Sequence, residues 1–151
     1  MLNEGGLRIK GEVEVVLRDM AQGGKVKYSF KKSNLIVTAG AAALAALVAN
    51  NSGTRPSHMG IGSSTTAPAA AQTDLQSPLN RQARGSTSRS SNQITYSASF
   101  ATGVGTGTVQ EGGLFNAGAA GTMYARFLTG AFVKGATDAL TMTWKLTFGT
   151  M

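Results

Sequence analysis

Residues 12–18 read EVEVVLR and residues 25–32 read KVKYSFKK, and apolar and polar side chains alternate in both stretches. Alternation with a period of two is the pattern of a β-strand that buries one face. The residues between them, 19–24, read DMAQGG, and a Gly-Gly pair is typical of a turn. The two stretches therefore predict an antiparallel hairpin with one apolar face.

The predicted register of this hairpin starts with Arg18 opposite Lys25. It places Glu12 opposite Lys31 on a charged face, and cross-strand pairs of this kind contribute roughly 0.2–1 kcal/mol each. On the other face the same register predicts three apolar pairs, which are Val13–Phe30, Val15–Tyr28 and Leu17–Val26.

The rest of the chain continues the β pattern. Further alternating or short apolar stretches lie at residues 58–62, 93–100, 108–115, 122–128 and 140–148. An alanine-rich stretch at about 39–50, with Thr38 as its expected N-cap, favours one short α-helix. We expect a single domain over residues 1–151, folded as an antiparallel β-sandwich or barrel of about seven or eight strands.

Two segments stand out as polar and irregular. Residues 1–11 are expected to form an N-terminal arm, and residues 63–93 are rich in Ser, Thr, Ala and Gln and are expected to form a long loop. A loop of that length is either functional or disordered when free. Basic residues near its end serve either a solubilising loop or an arm that docks on an acidic neighbour. The candidate partner-binding residues are Leu2, Leu7, Arg8 and Lys10 in the arm and Arg81, Arg84 and Arg89 in the loop.

The composition points to a covered, basic surface. The net charge is +7, while charged residues make up 14% of the chain, against about 25% in ordinary soluble domains. A surface poor in charge and rich in small residues suits a subunit that neighbours partly cover. The excess of Lys and Arg attracts polyanions, whether nucleic acid, an anionic membrane or an acidic protein face.

Residues for catalysis are few, and we expect no enzyme activity, no cofactor and no metal. The chain has no cysteine and one histidine, His58, and a catalytic or metal site needs converging partners. Glu12 and Glu14 share a strand face with lysines, which favours solvated ion pairs. Residues 60–66 lack the lysine of a phosphate-binding loop, and the glycines at 103–107 fall between two strands rather than before a helix.

No signal peptide or membrane span is expected. The N-terminus has no apolar core region, and the longest apolar run, residues 39–49, is 11 residues long, against the roughly 20 that a spanning helix needs. We therefore expect a protein made in a soluble compartment, with no membrane partner.

The basic hairpin leaves nucleic-acid binding open as an alternative. Residues 25–32 interleave lysines with Tyr28 and Phe30, and single-strand binders combine such features. Alternation places the two aromatic rings on the face opposite Lys25, Lys27 and Lys31, however. The rings are therefore expected in the core, and nucleic-acid binding is the lesser hypothesis.

Several short Gly-rich stretches, taken in order, resemble small virion proteins of tailed bacteriophages, of the head-decoration or tail-fibre-like kind. The resemblance covers most of the chain from residue 34 onward. It lies in residues 34–40 (NLIVTAG), 59–68 (MGIGSSTTAP), 73–75 with Arg81, 107–116 (GTVQEGGLFN), 124–126 and 140–146 (LTMTWKL).

The resemblance implies a β-rich structural protein that buries surface against repeated subunits, often as a symmetric oligomer. The first hypothesis is a capsid decoration (cement) protein, with a trimer favoured, that binds the major capsid protein or other virion subunits and stabilises the shell. It would be located in the virion after assembly in the host cytoplasm. The second hypothesis is a tail, baseplate or fibre-attachment protein, and the third is a nucleic-acid-binding β-barrel.

Overall fold

Residues 7–150 are described by the computed structural model, with side chains for residues 8–149. This part of the chain is mostly β, as expected, with nine strands in one antiparallel sheet that curls into a half-barrel. One α-helix accompanies the sheet. The elements are β1 (Leu7–Asp19), a 3₁₀ turn (Met20–Gln22), β2 (Lys25–Ile36), α1 (Thr38–Asn50), β3 (His58–Gly62), β4 (Pro78–Ala83), β5 (Ser86–Ser90), β6 (Gln93–Phe100), β7 (Gly107–Phe115), β8 (Met123–Lys134) and β9 (Asp138–Thr150).

The strand order across the sheet is β4-β3-β7-β8-β2-β1-β9-β6-β5. The two parts of the sheet join between β8 and β2, where the ladder holds only two residue pairs, at Leu35 and Ile36. The curled sheet encloses the core, and Phe127 of β8 meets Trp144 of β9 edge-to-face across it with ring centroids 5.3 Å apart. The joint between β8 and β2 is thus narrow, and packing across the core holds the two parts together.

The core contains most of the residues that alternation assigns to it. Six of the expected side chains are fully buried, and the strands β1, β6, β8 and β9 each present a row of apolar side chains to the interior. Five further side chains that were expected in the core are not fully buried: 39% of the Tyr28 surface is exposed, and Phe30, Leu44, Leu47 and Phe148 are half-buried. The buried side chains that sequence alternation predicts are Val13, Val15, Phe100, Phe115, Phe127 and Trp144.

The hairpin of β1 and β2 forms, but its predicted register is wrong by two residues. The observed pairs include Val15–Phe30 and Glu14–Lys31. One residue of the difference arises at the turn, where Asp19 rather than Arg18 lies opposite Lys25. Along residues 11–17 of β1 the shift is by two, and an even shift keeps each side chain on its expected face. Nearer the turn the shift is by one, so Val26 lies opposite Arg18 rather than Leu17 and is 45% exposed.

The other residue of the register difference is a bulge at Lys27. The ladder passes from Leu17–Tyr28 to Arg18–Val26, so Lys27 has no partner of its own on β1. Its ammonium group lies 2.9 Å from the carboxylate of Asp138, at the start of β9. The bulge therefore re-aims one lysine, as bulges often do, and ties the hairpin to the next strand.

Helix α1 begins at Thr38 and ends at Asn50, close to the expected 39–50. The expected N-cap at Thr38 is wrong, because Val37 occupies that position and makes no side-chain cap. The helix ends where Asn51 adopts a left-handed conformation and its N–H donates to the carbonyls of Ala46 and Leu47. Gly40 is buried against the main chain of Tyr124, so a glycine sets how close the helix lies to β8.

Both irregular segments are shorter than the sequence predicts. Residues 7–11 of the expected arm belong to β1, where they pair with the last strand; residues 1–6 lie outside the described residues. The expected loop 63–93 ends at residue 77, because residues 78–83 and 86–90 form β4 and β5. Both are edge strands with mostly exposed side chains, so they lack the apolar alternation that would mark them.

Replacing Gly40 with alanine should destabilise the fold. This is so although the intrinsic helix propensity of alanine is more favourable than that of glycine by about 1 kcal/mol. A Cβ at this position would overlap the main chain of Tyr124, and overpacking of this kind costs about 1–3 kcal/mol. Urea unfolding of Gly40→Ala measures the change. Gly149→Ala is the control, because a Cβ there meets nothing within 4 Å. Equal stability of the two variants would contradict the close contact.

Candidate interaction surfaces

A buried ion pair organises the face of β7 and β8 that points away from the core. The side chains of Arg126 and Glu111 are both fully buried. Arg126 donates from Nε and Nη2 to Glu111 Oε2, at 2.9 and 2.7 Å, and from Nη1 to Gln72 Oε1 at 3.1 Å. The guanidinium therefore links two strands to the segment at residues 63–77.

The Glu111 carboxylate also anchors that segment through its main chain. It accepts hydrogen bonds from the N–H groups of Ser77 at 2.7 Å, Gln76 at 3.1 Å and Ser64 at 3.4 Å. Between these contacts, Leu75 is 5% exposed and packs in a cluster with Val37, Phe115 and Met123. Residues 63–77 therefore cover the outer face of β3, β7 and β8 rather than extending into solvent.

Arg81, expected to dock on a partner, is held inside the chain. Its Nη1 donates to the carbonyls of Ala117 and Ala120, both at 2.9 Å, and its Nη2 lies 3.2 Å from Asp74. The guanidinium lies 3.5 Å from the ring centroid of Phe115. Burial lowers the pKa of Arg81, against the opposing charge of Asp74. The guanidinium of Arg81 is therefore engaged with groups of the same chain, and its contact with a partner stays a prediction.

Arg84 and Arg89 remain at the surface, as the docking hypothesis requires. Arg84 donates from its main-chain N–H to Ser57 O at 2.8 Å, which brings the segment with Arg55 alongside. The guanidinium carbon of Arg84 lies 5.8 Å from the ring centroid of Tyr96. Burial raises the pKa of Tyr96, and the positive charges of Arg84 and Arg55 partly offset that rise. We call Arg55, Arg84 and Arg89 the arginine corner.

The arginine corner borders an open strand edge. Strand β5 pairs with β6 on one side and ends the sheet on the other. All five of its residues are exposed. A surface cavity of about 240 Å³ lies at the start of the strand, lined by Arg84, Gly85, Ser86 and Thr87. Main-chain groups and arginine side chains are therefore accessible at the same place.

The predicted contacts near the N-terminus fall on strand β1. Arg8 and Lys10 alternate with Ile9, so they lie on the polar outer face of the sheet. With Ile9, Thr147 and Gly149 they line a shallow cavity of about 400 Å³. Leu2 lies outside the described residues, and of Leu7 only the main chain is described.

An apolar groove runs between helix α1 and the ends of β1 and β9. Its volume is about 340 Å³. Val48, on its rim, has 88% of its surface exposed, and α1 has no charged side chain. We call it the α1 groove, lined by Ile9, Ala41, Leu44, Ala45, Val48, Ala49 and Phe148.

A second set of buried charges closes the end of the sheet near the β8–β9 turn. Lys134 is fully buried and donates to the carbonyls of Asp138 at 2.7 Å and Ala101 at 2.9 Å. The Asp138 carboxylate accepts from Lys27 and from the N–H of Gly135. The hydrogen bond from Lys27 is the main cause that lowers the pKa of Asp138. These groups tie three turns together.

Residues suited to metal binding do not converge in the part of the chain that the structure describes. Within residues 7–150, no group of three or more His, Cys, Asp or Glu side chains could hold a metal ion. His58 Nδ1 lies 2.8 Å from Ser57 Oγ. None of the described helices is long and apolar enough to cross a membrane.

Comparison with known proteins leaves the family open. No protein-family model matches the chain, and neither a curated protein nor a solved structure matches it at a significant level.

Sequence reasoning missed the buried charges Glu111, Arg126, Lys134 and Asp138. The only signal that could have found them is position, because each sits in or beside a strand and has apolar residues or glycine within two positions on either side. A charged residue in such a place must be paired if the strand is buried on both sides. Of the arginine corner, the sequence indicated Arg84 and Arg89 but not Arg55, since Arg55 is remote from Arg84 in sequence.

Replacing Arg126 with methionine should lower the free energy of unfolding by about 3–5 kcal/mol, because it leaves the Glu111 carboxylate buried without a counter-charge. Urea unfolding measures this change. The matched control is Lys31→Met, which breaks the exposed pair with Glu14, 3.6 Å apart, and should cost under about 1 kcal/mol. Similar losses in both variants would show that the buried pair does not hold the fold.

Removing the Asp138 carboxylate should matter less as the pH falls. Because folding lowers the pKa of Asp138, its stabilisation is complete above the ordinary carboxyl pKa of about 3.9 and is lost as the pH falls through the lower folded-state pKa. Asp138→Asn should therefore be less stable than the wild type at neutral pH, with the gap closing below about pH 4. Lys27→Met removes the main cause of the lowered pKa of Asp138. Its loss of stability relative to the wild type should therefore also become smaller as the pH falls, though by less than for Asp138→Asn. Chemical unfolding across the acid range measures it, and a constant gap would refute the assignment.

Proposed function

We propose that this chain is a structural subunit of a larger assembly, and that the assembly is a bacteriophage virion in which it decorates and stabilises the capsid shell. The observation that carries the proposal is the α1 groove with its exposed, uncharged helix face. Large exposed apolar patches on soluble proteins mark interaction sites. Val48, with 88% of its surface exposed beside the groove, is the clearest element of that patch.

The chemistry of the patch supports contact with another copy of the chain. The protein carries a net charge of +7, so most of its faces would repel a second copy. Helix α1 has no charged residue, and two copies can meet there without opposing like charges. Residues 38, 41, 42, 45, 48, 49 and 50 of the helix are exposed, so the same uncharged patch is available on both copies, as a self-complementary contact requires. Contact between two copies through helix α1 gives a homo-oligomer. A trimer would need further contacts between copies of the chain.

The basic surface supports docking on the shell. Arg84, Arg89, Arg8 and Lys10 keep their side chains at the surface or on the outer sheet face. An acidic face of the major capsid protein or another virion subunit would attract them, and such complementarity raises the rate of association and its specificity. The phage assignment itself draws on the resemblance of residues 34–146 to small virion proteins.

Two other roles have some support. A tail, baseplate or fibre-attachment protein would use the same surfaces in fewer copies. Nucleic-acid binding is favoured by Tyr28, which is 39% exposed on a strand that also carries the exposed Lys25, Lys31 and Lys32. The ring of Tyr28 packs on those of Phe30 and Phe132, however, with centroids 5.3 Å apart in each pair, and this leaves little of it to stack on a base.

Placing a charge in the α1 groove should abolish self-association. Ala45→Glu puts a carboxylate at the centre of the exposed helix face, where two copies would bury it unpaired. Sedimentation velocity over a range of concentrations should show oligomers of the wild type and monomers of the variant. The control, Ser88→Glu, adds the same charge on exposed β5 and should behave as the wild type. Wild-type protein that stays monomeric throughout would contradict self-association through this face.

The position of the protein in the virion distinguishes the decoration role from the tail, baseplate or fibre-attachment role. Quantitative mass spectrometry of separated heads and tails, from the phage that encodes the chain, gives the copies per major capsid subunit. Near-stoichiometric amounts on heads are expected for a decoration protein. A few copies on tails would replace that role with the tail or baseplate role, and absence from both would refute the virion proposal.

A further inference from the structure

The open edge of β5 differs from the other edges of the sheet in what surrounds it. Residues 86–90 read STSRS, and every one of them is exposed. In an antiparallel strand, alternate main-chain N–H and C=O groups point away from the paired neighbour. Because β5 pairs only with β6, these groups are available to an added strand from another chain.

The arginines stand beside this edge on one face. Thr87 lies opposite Tyr96 and Arg89 lies opposite Ile94 in the ladder, so Thr87 and Arg89 share the face that carries the Tyr96 ring. Arg84 lies over that ring and donates to the Thr87 hydroxyl, and Arg89 donates to Ser91 O at 2.9 Å. Each guanidinium has five N–H donors, so both keep donors for a further partner.

No acidic side chain of this part of the chain balances these charges. The sequence between Asp74 and Glu111 holds three arginines and no acid. Arg81 is paired inside the fold, while Arg84 and Arg89 meet carbonyl, hydroxyl and ring groups only among the described contacts. A surface with this charge and a free strand edge is complementary to an extended segment that carries carboxylates.

We propose that the β5 edge and the arginine corner bind an extended acidic segment of a neighbouring subunit by adding it as a strand to the sheet. This deepens the assembly role proposed above, on which it rests, by stating the chemistry of one partner. Main-chain hydrogen bonds to β5 supply the affinity, as in other strand-addition complexes. Carboxylates on alternate residues of the segment face Arg84 and Arg89, since alternate residues of a strand share a face, and arginine binds carboxylates in bidentate pairs.

A peptide suits this site better than a nucleic acid. Single-stranded nucleic acids are held by aromatic rings on which bases stack, and the aromatic ring at the arginine corner, Tyr96, is only 5% exposed beneath Arg84. The free main-chain groups of β5 match an extended peptide, which carries the same alternating donors and acceptors.

Fluorescence anisotropy with the full chain tests the proposal. The probe is a short labelled peptide that alternates threonine with glutamate, and its comparison peptide has glutamine in place of each glutamate. We expect the glutamate peptide to bind at least about tenfold more tightly. The double variant Arg84→Gln/Arg89→Gln should lose about tenfold or more in affinity for it. The control Lys25→Gln/Lys32→Gln removes the same charge from the hairpin and should bind nearly as the wild type.

Each contrary result has a definite meaning. Equal binding of the two peptides, or equal weakening by the arginine and lysine variants, overturns the site, since the attraction would then be a general effect of net charge. If a labelled single-stranded oligonucleotide binds more tightly than the glutamate peptide, and this binding depends on Arg84 and Arg89, the peptide assignment is overturned in favour of nucleic acid.

Hydrogen exchange separates strand addition from simple ion pairing. The amides of residues 86–90 should become protected when the glutamate peptide is bound, and unchanged exchange there overturns the added strand. The peptide-binding experiment does not depend on where in the virion the protein is found. Peptide binding by a protein absent from virions supports the site while refuting the virion role, and absence of binding by a protein found on heads overturns this inference alone.

Discussion

The pairing of Arg126 with Glu111 is the interaction on which the rest of the structure depends. Taking two charges out of water costs several kcal/mol each, and their mutual attraction compensates only when the remaining donors and acceptors are also satisfied. Here the guanidinium reaches Gln72, and the carboxylate accepts three main-chain N–H groups from residues 63–77. A polar segment that could not bury itself by apolar contacts is thereby folded over the outer face of β7 and β8.

That arrangement has a consequence for how the sheet is layered. Residues 111–115 of β7 and 123–127 of β8 are buried on both faces, by the core on one side and by α1 and residues 63–77 on the other. Close approach on the outer side needs small residues, and Gly40, Gly60 and Gly113 supply them against Tyr124, Leu75 and Phe115. The opposite end of the sheet uses the same device of buried charge, with Lys134 and Asp138 capping the turns.

Alternation in the sequence was enough to predict the β class and most of the core, because burial of one strand face leaves a direct trace in residue type, and the alanine-rich stretch predicted the position of α1. Alternation could not predict the register of the hairpin, since neither the pairing of Asp19 with Lys25 at the turn nor the bulge at Lys27 leaves a trace in the apolar alternation. Strands β4 and β5 were missed because edge strands with exposed side chains have no apolar face to reveal them. Arg81 and Arg84 look alike in sequence, and only the fold separates a guanidinium stacked on Phe115 from one left at the surface.

Strands β2 and β8 pair only at Leu35 and Ile36 among the described residues, and this gives the lysines of the hairpin a role other than binding a polyanion. Residues 25–34 of β2 have a ladder partner on one side only, and an open edge of that length is a template on which chains can aggregate. Charged side chains, lysine above all, are the means by which natural sheets discourage such growth. Lys25, Lys31 and Lys32 are all exposed along this strand, and a second molecule approaching edge to edge would bring its own lysines against them. Part of the positive charge of the protein therefore lies where it opposes edge-to-edge pairing of two molecules.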